Sequence, residues 1–377
     1  MNKTVVDFFA GIGLVELGFK EAGWETIYSL DYSEDKFNFY KGNFGDKKYN
    51  VKDIREVEGQ NIPSSTLAHA SFPCTDVSVA GARAGLSGVQ TSTFWEFIRI
   101  VDEMRERKPP FLLLENVEGF LTSHQGTDLQ KALTALCDLG YSVDVLLIDA
   151  VHFVPQSRSR LFIICNNTVT KQNSLEQEIR LSNETNAKPD KVKIFIRKNP
   201  NINWYINEIP ELPKTKTNLK DIIDENDDDW WSDKRKNYLL EQMFKRHKKI
   251  VYEMMGKSDW SYGTIFRRTR LREGKKQSTA ELRVDGVAGC LRTPKGGSAR
   301  QILLRAGFGQ FDVRLLNGVE CSRLMGADNY IIDDSLSLNN ILFGFGDAVC
   351  VPAIKWIAEN VFEPNLKSIS KELESID

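Results

Sequence analysis

The chain has 377 residues, 41% of them hydrophobic and 27% charged, with a net charge of −2, a composition long enough and ordinary enough for a folded protein of two lobes. No apolar run is expected to reach the length of a membrane span, and Met1-Asn2-Lys3-Thr4 leads into a strand rather than a signal peptide. Cys74, Cys137, Cys165, Cys290, Cys321 and Cys350 form no Cys-x-x-Cys pair and no His cluster accompanies them, which argues against a zinc site or a disulfide framework and for reduced thiols in a cytoplasm.

Residues 1–167 alternate short β-rich runs with amphipathic stretches. That alternation predicts an α/β fold with a doubly wound, mainly parallel sheet. Thr4–Phe8 reads as the first strand, and Asp7-Phe8-Phe9-Ala10-Gly11-Ile12-Gly13-Leu14 then opens a helix. Gly11 and Gly13 permit a tight turn and a close ligand. Gly18 follows five residues after Gly13, not three, which speaks against a dinucleotide fingerprint. The second strand, Glu25–Leu30, ends at Asp31, where a carboxylate can hold ribose hydroxyls. Asp53 stands where a third strand would end. A Gly-x-Gly turn is equally a structural turn, and each acid alone is equally a surface carboxylate or a cap. In this order the three describe an adenosine pocket, and the absence of a Gly-x-x-x-x-Gly-Lys-Ser/Thr loop argues against ATP.

Further along, Ala68–Phe72 is a strand that leads into Ser71-Phe72-Pro73-Cys74, and Phe111–Leu114 leads into Glu115-Asn116-Val117. Helical patterns cover Thr93–Arg107 and Thr127–Leu139, and strands Val143–Ile148 and Leu161–Ile164. Ligands of such sheets bind beyond the carboxyl ends of the strands, so Cys74 and Glu115 face one crevice. A thiolate and a carboxyl there can attack and protonate an electron-poor ring. Taken alone, Cys74 is equally a small buried hydrophobe, and Glu115-Asn116 a turn capping the next helix.

The pairing of Pro73-Cys74 with Glu115-Asn116-Val117 resembles the DNA (cytosine-5) methyltransferases of prokaryotic restriction–modification systems. Pro155-Gln156-Ser157-Arg158-Ser159-Arg160 resembles that family's Gln-x-Arg-x-Arg motif. The resemblance implies a Rossmann-like class I S-adenosylmethionine-dependent methyltransferase domain. Its catalytic residues would be Cys74, Glu115, Asn116, Arg158 and Arg160. Cys74 would add to cytosine C6 and Glu115 would meet N3, kept protonated or sharing a proton by burial. Arg160 would hold the cytosine O2 and Arg158 would order the site; two-residue alternation points both to one side, where either can depress the Cys74 pKa. Asp7, Phe9, Ala10, Gly11, Ile12, Gly13, Asp31, Tyr32, Asp53, Ile54 and Pro73 would line the cofactor pocket, with Phe9 and Tyr32 flanking the adenine. Loop Thr75–Ser92, with Gly81, Gly85 and Gly88, would hinge as a lid.

After Cys165 the regular pattern stops. Residues 168–310 read as a second, smaller lobe and 311–377 as a segment that returns to the catalytic domain, ending in a polar helix or tail over Pro364–Asp377. From Ser232 to Arg305 there are 19 Lys and Arg against seven Asp and Glu, a net +12 that leaves −14 on the rest. Charge alone is equally a solvated face, and clusters such as Lys245-Arg246-His247-Lys248-Lys249 favour the footprint of a polyanion. By resemblance this lobe is a target-recognition domain for double-stranded DNA, with Arg292, Lys295 and Arg300 as contacts to a duplex from which the target base is extruded. Arg314–Gly326 resembles the family's supporting helix, and Phe345-Gly346-Asp347-Ala348-Val349 its closing motif, which would bring Asp347 and Ala348 to the cofactor. Three departures stand out: Asp347 where the family has Asn, Leu14 where a glycine is common, and Gln90 where arginine is frequent.

The resulting expectation is a monomeric cytoplasmic enzyme without metal, paired with a restriction endonuclease it does not stably touch. An RNA (tRNA) cytosine-5 methyltransferase and a catalytically silent DNA reader are the alternatives. Amino-group methylation is disfavoured by the absence of an Asp/Asn/Ser-Pro-Pro-Tyr/Phe motif.

Overall fold

The computed structural model describes residues 2–73, 92–272, 275–293 and 300–374, without the side chains at 270–272, 275–276 and 370–374. Two compact units make up the chain. One holds Met1–Asp149, Ser159–Pro213 and Cys350–Asp377; the other holds Ala150–Arg158 and Lys214–Val349.

In the first unit seven strands form one sheet: β1 (Thr4–Phe8), β2 (Glu25–Asp31), β3 (Tyr49–Val51), β4 (Leu67–Ala70), β5 (Phe111–Val117), β6 (Ser142–Asp149) and β7 (Ser159–Asn166). Their order is β3-β2-β1-β4-β5-β7-β6. Only β7 runs against its neighbours. Central strands read as near-continuous apolar runs because helices cover both faces; Val5, Val6, Phe8 and Leu112–Leu114 are all fully buried. The strand order turns between β1 and β4, which puts the ligand crevice beyond their carboxyl ends. Ala70 lies opposite Leu114, so the chain leaves β4 at Ser71 beside Glu115 of β5. Phe72 fixes that exit by packing edge-on and tilted against Phe120 and Phe94, at 5.7 and 5.2 Å.

The unit boundaries fall elsewhere than the breaks in composition at 167 and 310. Residues 168–213 are polar in sequence, yet they pack on β6: Val143 donates to the Asn203 carbonyl at 2.8 Å and Tyr205 donates to the Val143 carbonyl at 2.9 Å. Trp204 is fully buried there, and Lys188 is buried against Asp144 at 2.9 Å. A few apolar residues and one paired lysine outweigh a polar average. The returning helix Val351–Ile357 packs on Leu14–Glu21 at Gly18, where a Cβ would lie 2.7 Å from the Ile354 Cβ.

In the second unit β8 (Ser261–Arg272), β9 (Lys275–Arg283), β10 (Gln301–Gly307) and β11 (Gln310–Leu315) make an antiparallel sheet, order β11-β10-β8-β9. Helix Lys245–Met255 buries Val251 and Met254 in a core that includes Ile265, Ile302 and Leu304. Its lysines stay at the surface, where Lys245, Lys248 and Lys249 line a shallow depression with Tyr252 and Glu253. After β11, helix Gly318–Leu324 starts on a capping box of Asn317 and Glu320.

The expectation about apolar runs needs one correction. An 18-residue window within Leu338–Ile369 has a mean hydropathy of 1.6, but 72% of that window is buried. Helix Leu338–Asp347 also ends there before Val351–Ile357 begins, with Ala348 extended. Among the described residues Cys137, Cys165 and Cys321 are free thiols.

Candidate active site

The turn after β1 is built around Asp31. Its Oδ2 accepts from Gly11 N at 3.0 Å and its Oδ1 from Ser33 N at 3.1 Å. The Tyr49 hydroxyl donates to the Gly11 carbonyl at 2.9 Å. Phe9, Gly11 and Gly13 have φ of 61°, 58° and 84°, a left-handed path that is costly for Phe9 and cheap for the glycines. A Cβ on Gly11 would meet nothing closer than the Phe9 carbonyl oxygen at 3.9 Å, which leaves the main chain open to close approach. Both Asp31 oxygens keep acceptor capacity for ribose hydroxyls. This donor set fits an adenosyl group.

Around it the expected residues differ in placement. Tyr32 is 70% exposed, while the side chains of Ala10, Ile12 and Ile54 are buried, so only their main chain is left for a ligand. Asp53 caps the short helix Ile54–Glu56 and pairs with Arg55 at 3.0 Å. Asp7 is fully buried and turned to His69, 2.7 Å away. Beneath the turn lies a carboxylate that sequence reasoning passed over: Glu16, buried, bonded by the Tyr40 hydroxyl and paired with Lys48. Burial pushes its carboxyl up, and Lys48 and Tyr40 pull it back. Tyr40 also walls Gly13, where a Cβ would lie 2.8 Å from its ring and 2.6 Å from that of Phe44. With positive φ added to that clash, Gly13→Ala is expected to cost about 1–3 kcal/mol, checked as a lowered urea midpoint at unchanged slope.

Beyond β4 and β5 the reactive side takes shape. Pro73 is described; Cys74, the loop to Thr91 and Gln90 within it lie outside the described residues. Asn116 Nδ2 donates to the Phe72 carbonyl at 3.1 Å, and its Oδ1 accepts from Val117 N. Glu115 is 7% exposed and makes an ion pair with Arg160, Nε to Oε1 2.9 Å. It is therefore buried, as expected, and faces a guanidinium as well. The antiparallel register of β5 and β7, with Val117 opposite Arg160, brings the two together.

Arg158 has different partners, because strand alternation starts only with β7 at Ser159. In the second unit its guanidinium donates to the carbonyls of Leu291 (2.7 Å), Gly346 (3.0 Å) and Ala348 (2.5 Å), and lies 3.4 Å from Cys290 Sγ. Gln156, also buried, ties the Leu291 amide to the Leu324 carbonyl. The motif arginine thus organises main chain, including that of the closing motif. Gly346 is packed on it so closely that a Cβ would lie 2.6 Å from Thr293 N. Asp347 ends its helix exposed and Ala348 is half-buried. Of the expected DNA contacts, Arg292 is exposed over the Phe266 ring at 5.7 Å and Arg300 bonds Asn339; Lys295 lies outside the described residues.

Comparison with known proteins agrees with this architecture. The model of the family described as C-5 cytosine-specific DNA methylase matches residues 3–363. The type II methyltransferase M.Bsp6I of Bacillus sp. (strain RFL6) is 26% identical over 369 residues, 96% of this chain and 99% of that one. M.BsuFI of Bacillus subtilis is 33% identical over 162 residues and M.HhaI of Haemophilus parahaemolyticus 28% over 193, covering 43% and 51% of this chain. Those two matches span only 38% and 55% of the relatives' own lengths. Among solved structures, the Entamoeba histolytica methyltransferase EhMeth aligns over 97% of this chain and 99% of its own at a TM-score of 0.65 and 14% identity. Spodoptera frugiperda DNMT2 aligns over 95% and 99% at 0.62 and 16%. At such identities the likeness is one of fold, the mainly parallel methyltransferase sheet. With that sheet, the turn held by Asp31 and the family match over nearly its whole length, the chain belongs to the C-5 cytosine-specific DNA methylases.

Proposed function

We propose that this protein transfers a methyl group from S-adenosylmethionine to C5 of a cytosine within a specific double-stranded DNA sequence, through a covalent adduct on a flipped base. The observation that carries this reading is the juxtaposition at the ends of β4 and β5: Ser71-Phe72-Pro73 leaves the sheet beside Glu115-Asn116-Val117, and Asn116 ties the two together. Cytosine C5 is a poor nucleophile. Addition of the Cys74 thiolate to C6 moves the ring's electron pair toward C5, and a proton or hydrogen bond at N3 from Glu115 stabilises the adduct. Arg160, paired with Glu115, supports that carboxyl and can offer a guanidinium N–H to the cytosine O2. S-adenosylmethionine, held by Asp31 and the Gly11 turn, supplies an electrophilic methyl. Loss of the C5 proton and departure of the thiolate then restore the aromatic ring.

The basic stretch around β8 to β10 suits phosphate contacts, with Arg292, Lys295 and Arg300 as contributors. Relatives are named type II methyltransferases; in this reading the protein acts as a monomer in a bacterial cytoplasm and guards host DNA against a cognate endonuclease.

Incubation with tritiated S-adenosylmethionine and duplex DNA carrying 5-fluorocytosine tests this, since fluorine blocks the final elimination. A denaturation-resistant protein–DNA adduct that Cys74→Ser abolishes is the expected result. An adduct on fluorinated RNA alone moves the assignment to RNA, and none on either, with cofactor still bound, leaves a silent reader.

A further inference from the structure

A fully buried histidine in the middle of a parallel strand needs partners for both ring nitrogens. His69 of β4 has them: Nδ1 lies 2.7 Å from Asp7 Oδ1 and Nε2 lies 3.0 Å from Ser71 Oγ. Asp7 and His69 sit directly opposite each other in the β1–β4 ladder, and both are fully buried. Burial pushes the Asp7 carboxyl up while His69 pulls it down. Whichever nitrogen carries the proton, the ring cannot turn without breaking one link. The chain of contacts therefore runs from the strand that bears the cofactor turn to the exit of the strand that bears the nucleophile, three residues before Cys74.

We propose that His69 and Ser71 are positioning residues for methyl transfer. Asp7 orients the imidazole, the imidazole holds the Ser71 hydroxyl, and Ser71 fixes the main chain that presents Cys74, while Asn116 grips the next residue from β5. This rests on the reading of Cys74 as the nucleophile. It differs from a purely structural role, because the Ser71 link serves placement of the thiol and not the cofactor turn.

The amides of Asn and Gln separate the two links: Asn reaches about as far as Nδ1, and Gln about as far as Nε2. The rate of adduct formation on mixed-sequence duplex DNA carrying 5-fluorocytosine is measured beside the equilibrium binding of S-adenosylmethionine. Ser71→Ala and His69→Asn are each expected to slow adduct formation about tenfold, the worth of one hydrogen bond. Cofactor affinity stays within about threefold, and His69→Gln recovers most of the rate. The double variant His69→Asn/Ser71→Ala is no slower than the slower single one, since both cut the same link. Wild-type rates in Ser71→Ala, or losses that multiply in the double variant, overturn the proposal. Should a His69 variant fail to fold, Ser71→Ala still decides, as it removes one oxygen at a half-buried site. If the unaltered chain binds the cofactor but forms no adduct, the methyl-transfer reading fails and this proposal with it, a result read before any variant is made.

Discussion

Glu115→Gln is expected to lower the single-turnover rate of methyl transfer about a hundred- to ten-thousand-fold, the usual range for a general acid–base group. Gln keeps the shape and a hydrogen-bonding oxygen toward Arg160, but it cannot supply a proton to cytosine N3 and it removes the charge opposite the guanidinium, 2.9 Å away. The cofactor turn is organised by Asp31 instead, so S-adenosylmethionine binding should stay within about threefold. A rate within tenfold of wild type would remove Glu115 from the N3 position. Because the pair is largely buried, a modest loss of stability accompanies the change, and the rate is therefore read well below the variant's melting temperature.

The second large effect concerns stability of the other unit. Arg314 is 1% exposed and bonds both carboxylate oxygens of Glu320 at 2.7 Å, and Glu320 is itself fully buried. Glu320 also accepts from the amides of Asp224 and Asn317, at 3.1 and 3.0 Å. Arg314 lies 3.4 Å from Asp227 and 5.0 Å from the Trp230 ring. Removing one partner leaves an uncompensated buried charge, so Arg314→Met should cost about 3–5 kcal/mol. Hydrogen exchange is the measurement, with faster exchange across β10 and β11 and little change in β1 and β4. The double change Arg314→Met/Glu320→Gln should cost less than the sum of the two single ones; an additive result would mean that the pair is not coupled. Asp227, in the run Asp227-Asp228-Asp229, thus contributes a partner to a buried arginine.

Such pairs separate what local sequence carries from what it does not. Strand runs such as Phe111–Leu114 and Val143–Ile148 are legible because a strand covered on both faces must be apolar at every position, a pattern confined to neighbouring residues. The Gly11–Gly13 turn and its partner Asp31 are legible for a like reason: a left-handed path needs glycine, and a carboxylate at a strand end needs donors. His69, by contrast, passed as one polar residue in an apolar strand. Its meaning lies in Asp7, 62 positions away, and the cue that could have exposed it is the cost of burying an unpaired imidazole.

Sequence by itself therefore determined the α/β class, the strand runs of the parallel sheet, and the motifs Pro73-Cys74, Glu115-Asn116-Val117 and Gln156-x-Arg158-x-Arg160 that carry the resemblance to the methylase family. Tertiary structure alone decided which groups meet. It paired Arg160 with Glu115 through an antiparallel register that no local pattern encodes, and it sent Arg158 to main-chain carbonyls because the strand begins one residue after it. It also moved residues 168–213 onto the catalytic sheet, where Trp204 and Lys188 find buried partners that a polar average conceals. The physical reason is common to all three. Propensity and periodicity act over a few residues, whereas partners for buried charges and carbonyls are found across strands and loops distant in sequence, at a cost that only the assembled fold resolves.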